Sequence, residues 1–193
     1  MPLKEFKIKK DSFISGWFIP ENICDDIIKY FNDNKEKAID GTINYKLLKK
    51  EKKSKEIIFS SDYNEYPLKD YKVYLQKVLE LYLKKYVYAN NVNFFNINDN
   101  IKIQYYKKNE GFKSWHFERT GVNHSIKRHL VFMTYLNNVE NGGTDFYYQK
   151  VTTPAKKGLT LIWPVDWTHT HRGQISKNKE KYIVTGWYSF LNE

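Results

Sequence analysis

The feature that most constrains the fold is a change of hydrophobic period near residue 100. Upstream, Leu68, Tyr71, Leu75, Val78, Leu79, Tyr82 and Tyr86 recur at helical spacing, with Pro67 at the start of the stripe. A shorter helix is predicted after Pro20, where Ile23, Ile27, Tyr30 and Phe31 share one face, and Asp40-Gly41 closes that segment as a turn. Downstream, Ile101, Ile103 and Tyr105 alternate with Lys102, Gln104 and Tyr106. Runs rich in Val, Ile, Thr and aromatics follow at 129–136, 144–148, 158–163 and 181–190. Asn141-Gly142-Gly143, Pro154 and Arg172-Gly173 read as the turns between them. Helices first and successive short strands afterwards predict an α+β chain with a β-sandwich or jelly-roll core and N-terminal supporting helices. We expect one domain over 1–193, with 1–99 mainly helical support and 100–193 the core.

Hydrophobic residues make up 41% of the 193 positions, enough to build a core, and no apolar run is long enough to span a bilayer. The N-terminus lacks an apolar signal segment and Cys24 is the single cysteine, so a reducing, cytoplasmic setting is expected. The net charge of +10 could serve nucleic acid or an anionic surface. Its densest cluster, Lys49, Lys50, Lys52, Lys53 and Lys55, reads instead as an exposed, solvated loop over residues Lys49 to Glu56.

Within the strand-rich half, His116 and Glu118 stand two apart, so on a strand both side chains leave the same face. A third ligand from a remote strand would complete a site of two imidazoles and one carboxylate. With open positions, that donor set suits Fe(II) oxygen chemistry. His169 and His171 are both candidates and share strand parity; His171 lies against the Arg172-Gly173 turn, where a strand end meets a site. His124 and His129 read as solvent-facing or structural. Lys181 opens the last strand run, and an ammonium inside the roll calls for a bound carboxylate. Tyr106 and Thr134 could add hydroxyl donors to the same carboxylate.

These residues fall in an order that resembles the Fe(II)- and 2-oxoglutarate-dependent dioxygenases, in the prolyl-4-hydroxylase-like branch and close to versions carried by marine phages and bacteria. The matching stretches are Ile103-Gln104-Tyr105-Tyr106 with Gly111, Trp115-His116-Phe117-Glu118, Arg128-His129-Leu130 and Thr134-Tyr135-Leu136-Asn137. Gly142-Gly143-Thr144-Asp145-Phe146, Pro154 with Gly158, His171-Arg172-Gly173, Lys181-Tyr182 and Trp187 continue them. The family's spacing from histidine to basic residue selects His171, ten residues before Lys181, over His169. Glu118 replaces the family's usual aspartate, and the Gly-Gly turn is one residue short.

The resemblance implies a double-stranded β-helix, or cupin-like jelly roll, holding Fe(II) on His116, Glu118 and His171. 2-Oxoglutarate would rest its far carboxylate on Lys181, with Tyr106 and Thr134 beside it. His169, Arg172 and Trp187 would stand behind these groups. The implied reaction consumes O2 and 2-oxoglutarate, releases succinate and CO2, and hydroxylates an unactivated C–H, with ascorbate as an optional reductant. An alanine or glycine at the position of Glu118 would point to a halogenase; the carboxylate points to hydroxylation. A prolyl residue in a peptide or protein is the substrate the branch implies, and a free amino acid or small molecule is the alternative. A non-catalytic jelly-roll binding module and a nucleobase demethylase are the competing classes, although the demethylases anchor their co-substrate with arginine rather than lysine. If phage-encoded, the protein would work in the host cytoplasm.

Overall fold

A computed structural model describes residues 2–43 and 46–191, apart from the side chains of residues 123 and 124. The strands are β1 (Lys4–Phe6), β2 (Ser15–Phe18), β3 (Ile39–Asp40), β4 (Lys55–Phe59), β5 (Phe95–Ile97), β6 (Ile101–Tyr106), β7 (Arg128–Tyr135), β8 (Val139–Phe146), β9 (Val151–Ala155), β10 (Leu159–Pro164), β11 (His171–Gly173) and β12 (Lys181–Phe190). Two α-helices, α1 (Glu21–Asp33) and α2 (Leu68–Lys85), lie among the first five strands. The larger sheet runs β1-β2-β10-β7-β12-β6-β4-β3, with β5 added on β12; the smaller runs β11-β8-β9. Every pairing is antiparallel.

Two apolar layers hold this together. Val131, Met133, Leu161, Trp163 and Ile183 of the larger sheet meet Val139, Phe146 and Ala155 of the smaller one, which closes the jelly roll. The other face of the larger sheet carries both helices. There Leu68, Tyr71, Leu75, Val78, Leu79 and Tyr82 of α2, with Ile23, Ile27 and Phe31 of α1, bury against Ile101, Ile103, Leu130, Phe132 and Val184. Burying each large apolar side chain contributes about 1.5–3 kcal/mol. The expected α+β jelly roll with supporting helices is therefore the fold observed. The first 99 residues also supply five strands, and β2 lies inside the larger sheet between β1 and β10. Among the described residues no helix is long and apolar enough to cross a membrane.

Two local expectations need correction. The segment from Lys49 to Glu56 is not a solvated loop throughout. It feeds β4, which pairs with β6, and Lys52, Ser54 and Glu56 are buried. Alternate residues turn into the roll, and the Lys52 ammonium lies 2.6 Å from the Glu56 carboxylate, which offsets the cost of burying either charge. Of the lysines that face water, Lys49 and Lys55 contact Asp40 and Lys53 contacts Glu110. The second correction concerns the expected turns: Asn141-Gly142-Gly143 forms an irregularity inside β8, Pro154 lies within β9 and Arg172-Gly173 within β11, rather than between strands. Asn141 has φ 52°, and a Cβ on Gly143 would come 1.8 Å from the Thr153 carbonyl oxygen of β9.

Leu75→Ala, on the buried face of α2, should cost about 2–5 kcal/mol through lost burial and the cavity left behind. A denaturant midpoint unchanged from the parent protein would contradict this account of the helix layer.

Candidate metal centre and co-substrate pocket

The site begins with backbone. His116 N–H donates to the His171 carbonyl at 3.0 Å, and His171 N–H donates to the His116 carbonyl at 2.8 Å. The two residues form one isolated antiparallel bridge at the start of β11, and the segment around Glu118 is otherwise not a strand. Two residues on, Glu118 N–H donates to the Val165 carbonyl at 3.0 Å. Residues 116–118 are thus stitched between β11 and the chain leaving β10. The two rings stand side by side with centroids 4.3 Å apart.

Each imidazole has its orientation set from behind. Nδ1 of His116 lies 2.9 Å from the Ser114 carbonyl, and Nδ1 of His171 lies 2.9 Å from the His169 carbonyl. With each Nδ1 donating to its carbonyl, each Nε2 keeps a lone pair for a metal. Phe112 stacks on His116 with centroids 3.6 Å apart, which fixes the ring plane. Both Nε2 atoms lie 3.5 Å from Glu118 Oε1, a separation that two bonds of about 2.1 Å to a shared ion can span. One atom from each of the three residues falls within 4.8 Å of the others. Burial pushes the Glu118 carboxyl upward, but its contacts with His116 and His171 outweigh this and hold it well below the usual carboxylate range. Burial and the neighbouring His171 lower the pKa of His116, which favours the neutral form that a metal needs. Trp187 Nε1 donates to Glu118 Oε2 at 3.1 Å, and the Arg128 guanidinium sits 3.5 Å from the same oxygen while stacking on the Trp187 ring.

The three residues line a cavity of about 930 Å³ that also exposes Lys181, Tyr106, Tyr135 and Thr144. Lys181 is buried, and its ammonium donates only to the Gly142 and Gln174 carbonyls, each at 2.9 Å. Among the described residues no carboxylate pairs with it, and burial pushes its pKa down to about 8. The irregularity in β8 turns the Gly142 carbonyl towards this amine. A buried cation without an anion fits the far carboxylate of a bound dicarboxylate.

Not every candidate from the sequence reaches the cavity. Tyr106 does, with its hydroxyl donating to Gln104 at 2.6 Å and its ring 5.2 Å from the Lys181 ammonium. Thr134 does not. Its hydroxyl lies in the helix layer, 2.9 Å from the Tyr71 hydroxyl and 2.8 Å from that of Thr160. Odd positions of β7 face the cavity and even positions face the helices, so the next residue, Tyr135, is the one that lines the pocket. The Tyr135 hydroxyl meets that of Thr144 at 2.6 Å. His169 points its ring away, with Nε2 3.0 Å from the Ser12 carbonyl, and contributes to the site through its backbone. Arg172 lies over Trp115 at the exposed rim and contacts Asp145. Trp187 reaches Glu118 directly. His129 is structural, with Nε2 2.8 Å from the Ala89 carbonyl, and the side chain of His124 lies outside the described residues.

The comparisons with known proteins agree with this donor set. Residues 101–189 match the model of the 2OG-Fe(II) oxygenase superfamily. The matched stretch is the strand-rich part of the chain that carries the three donors. That superfamily uses Fe(II), 2-oxoglutarate and O2, and the donor set of His116, Glu118 and His171 could hold the iron. Among solved structures, a Pseudomonas putida prolyl-4-hydroxylase superposes with a TM-score of 0.69 at 12% identity, covering 93% of each chain. A viral collagen prolyl hydroxylase from Paramecium bursaria Chlorella virus-1, solved as its 2OG complex, gives 0.65 at 14%, covering 100% of this chain and 97% of that one. A Trichoplax adhaerens prolyl hydroxylase in complex with a hypoxia inducible factor peptide gives 0.71 at 14%, covering 92% and 84%. At such identities the likeness is one of fold. No curated protein matches the sequence.

Trp187→Phe keeps the ring under Arg128 but removes the donor to Glu118. We expect it to weaken metal binding by roughly 10-fold or more. His169→Ala should leave metal affinity nearly unchanged, because its side chain faces Ser12. Titration with Mn(II) checks both. A large loss in His169→Ala with none in Trp187→Phe would show that the supporting groups have been misassigned.

Proposed function

We propose that this oxygenase hydroxylates an unactivated C–H of a peptide or protein substrate, with a prolyl residue as the leading candidate. One observation carries the reading: His116, Glu118 and His171 converge in the same cavity that holds the unpaired ammonium of Lys181. The chemistry supplied on binding is oxidative decarboxylation of 2-oxoglutarate to succinate and CO2, coupled to oxygen insertion into a C–H bond. Peptide substrates are supported by the resemblance in fold to enzymes named as prolyl hydroxylases, one of them solved with a peptide.

In this proposal His116, Glu118 and His171 would hold Fe(II). Their outer partners have fixed roles. The Ser114 and His169 carbonyls keep each imidazole in the tautomer that presents Nε2, and Trp187 with Arg128 steadies the second carboxylate oxygen. Lys181 would anchor the distal carboxylate of 2-oxoglutarate, with the Tyr106 ring 5.2 Å from its ammonium and the paired Tyr135 and Thr144 hydroxyls lining the same cavity. Met133, Ile183 and Trp163 wall this end of the cavity and keep water away from the reacting centre.

The direct test measures succinate formed from 2-oxoglutarate with Fe(II) and ascorbate, with and without proline-containing peptides or free amino acids. Peptide-stimulated succinate with a 16-dalton gain on the peptide is the expected result. Stimulation by amino acids alone would move the substrate to small molecules, and no turnover in any arm would overturn the reading.

Lys181→Met should raise the 2-oxoglutarate requirement by roughly 10- to 150-fold, the equivalent of a lost charged hydrogen bond of about 1.5–3 kcal/mol. The pH dependence has a definite sign. The protonated amine binds the carboxylate, and in the free protein its pKa is pushed down to about 8. The apparent KM for 2-oxoglutarate should therefore climb as pH rises above about 8, approaching tenfold per unit. A flat KM from pH 7 to 9.5 would remove Lys181 from this role.

A further inference from the structure

The charged groups around the cavity do not balance. Its lining includes Lys52, Lys102, Arg128 and Lys181 as cations and Asp99 and Glu118 as anions. Arg128 is taken by Asp99 at 2.8 Å. Lys52 is taken by Glu56 at 2.6 Å, and Ser54 donates to the same carboxylate at 2.9 Å. If Glu118, Lys181, a divalent ion and dianionic 2-oxoglutarate come together as proposed above, their formal charges sum to zero. Lys102 is then the cation left over.

Lys102 sits on β6, where even positions face the cavity. Its ammonium lies 3.6 Å from Glu56 Oε2, beyond hydrogen-bond distance, and donates to no acceptor among the described residues. Only about a fifth of the side chain is exposed. Burial lowers its pKa, although Glu56 pulls in the other direction. The amine lies 5.8 Å from the centre of the Trp187 ring, and Trp187 itself donates to Glu118. An acceptor held by Lys102 would therefore sit one side chain away from the metal ligands, four residues along β6 from Tyr106, the register partner of Lys181.

We propose that Lys102 is a specificity-determining residue that binds a carboxylate of the substrate, so that the preferred substrates are acidic peptides. The purely structural alternative, that Lys102 exists to neutralise Glu56 from the side of Oε2, is weaker because Lys52 already neutralises that carboxylate through Oε1 at 2.6 Å, so the three groups together keep one net positive charge. The proposal rests on the oxygenase reading, which supplies the ligands that consume the other charges.

The test is calorimetry on the full chain loaded with Mn(II) in place of Fe(II). 2-Oxoglutarate is titrated first, and its binding reports on the oxygenase reading independently. Three matched pairs of short N-acetylated proline peptides follow: glutamate against glutamine before the proline, glutamate against glutamine after it, and a free C-terminal carboxylate against its amide. At least one acidic member should bind roughly tenfold or more tightly than its neutral partner. Lys102→Met should erase that preference to within about twofold, while thermal melting verifies that the variant is folded. Lys102→Gln serves the same purpose should the methionine variant fail to fold. The proposal is overturned if no acidic peptide is preferred, whether both members bind alike or neither binds. It is overturned equally if the preference survives in the Lys102 variants.

Discussion

The site depends on one pair of backbone hydrogen bonds, those exchanged between His116 and His171. Neither histidine lies within a long strand where a ladder would fix its register. The bridge joins an irregular segment to a three-residue strand and sets two imidazoles against each other, with Glu118 stitched to Val165 close by. Everything behind the rings serves that placement: carbonyls on the Nδ1 atoms, Phe112 on one ring face, and Trp187 under the carboxylate. A side chain held on all sides loses little entropy when a ligand arrives, which is how a scaffold pre-organises a metal site.

The interior of the roll is also a problem of buried charge. Lys52, Arg128 and Lys181 would each be costly to bury alone. The fold meets that cost in two ways. Lys52 and Arg128 have carboxylates within 3 Å, in Glu56 and Asp99. Lys181 has only the carbonyls of Gly142 and Gln174. The depressed pKa of Lys181 records the difference, since burial acts on it without a compensating anion. Lys181 is thus a buried cation whose described partners are neutral, in a cavity where the other charges are paired or, like Lys102, border the open space.

Legibility from sequence followed periodicity. The α2 stripe and the alternation in β6 were readable because one face of each is apolar and the other is not. β7 hid its orientation. Leu130, Phe132 and Thr134 face the helices while Val131, Met133 and Tyr135 face the cavity, so both sides look apolar and parity gives no signal. The sequence therefore offers Thr134 for the co-substrate as readily as its neighbour Tyr135, which is the residue that lines the cavity. Strands of two to four residues, such as β1, β2, β3 and β5, are too short to show a period. The lysine-rich segment was misread because composition alone cannot reveal that Lys52 and Glu56 alternate into the roll and pair there. Distance along the chain hides Arg128 as a partner of Glu118, because only the packing of β7 against β12 brings it to Trp187 and that carboxylate.

The central claim is that three side chains, far apart in sequence, hold one ferrous ion beside a 2-oxoglutarate anchored on a lysine. The most direct measurement is the visible absorption spectrum of the protein under anaerobic conditions as Fe(II) and then 2-oxoglutarate are added. A weak charge-transfer band that appears only when both are present, and that is absent in Glu118→Ala, is the predicted result. A spectrum indifferent to 2-oxoglutarate, or a band of unchanged intensity in Glu118→Ala, would contradict it.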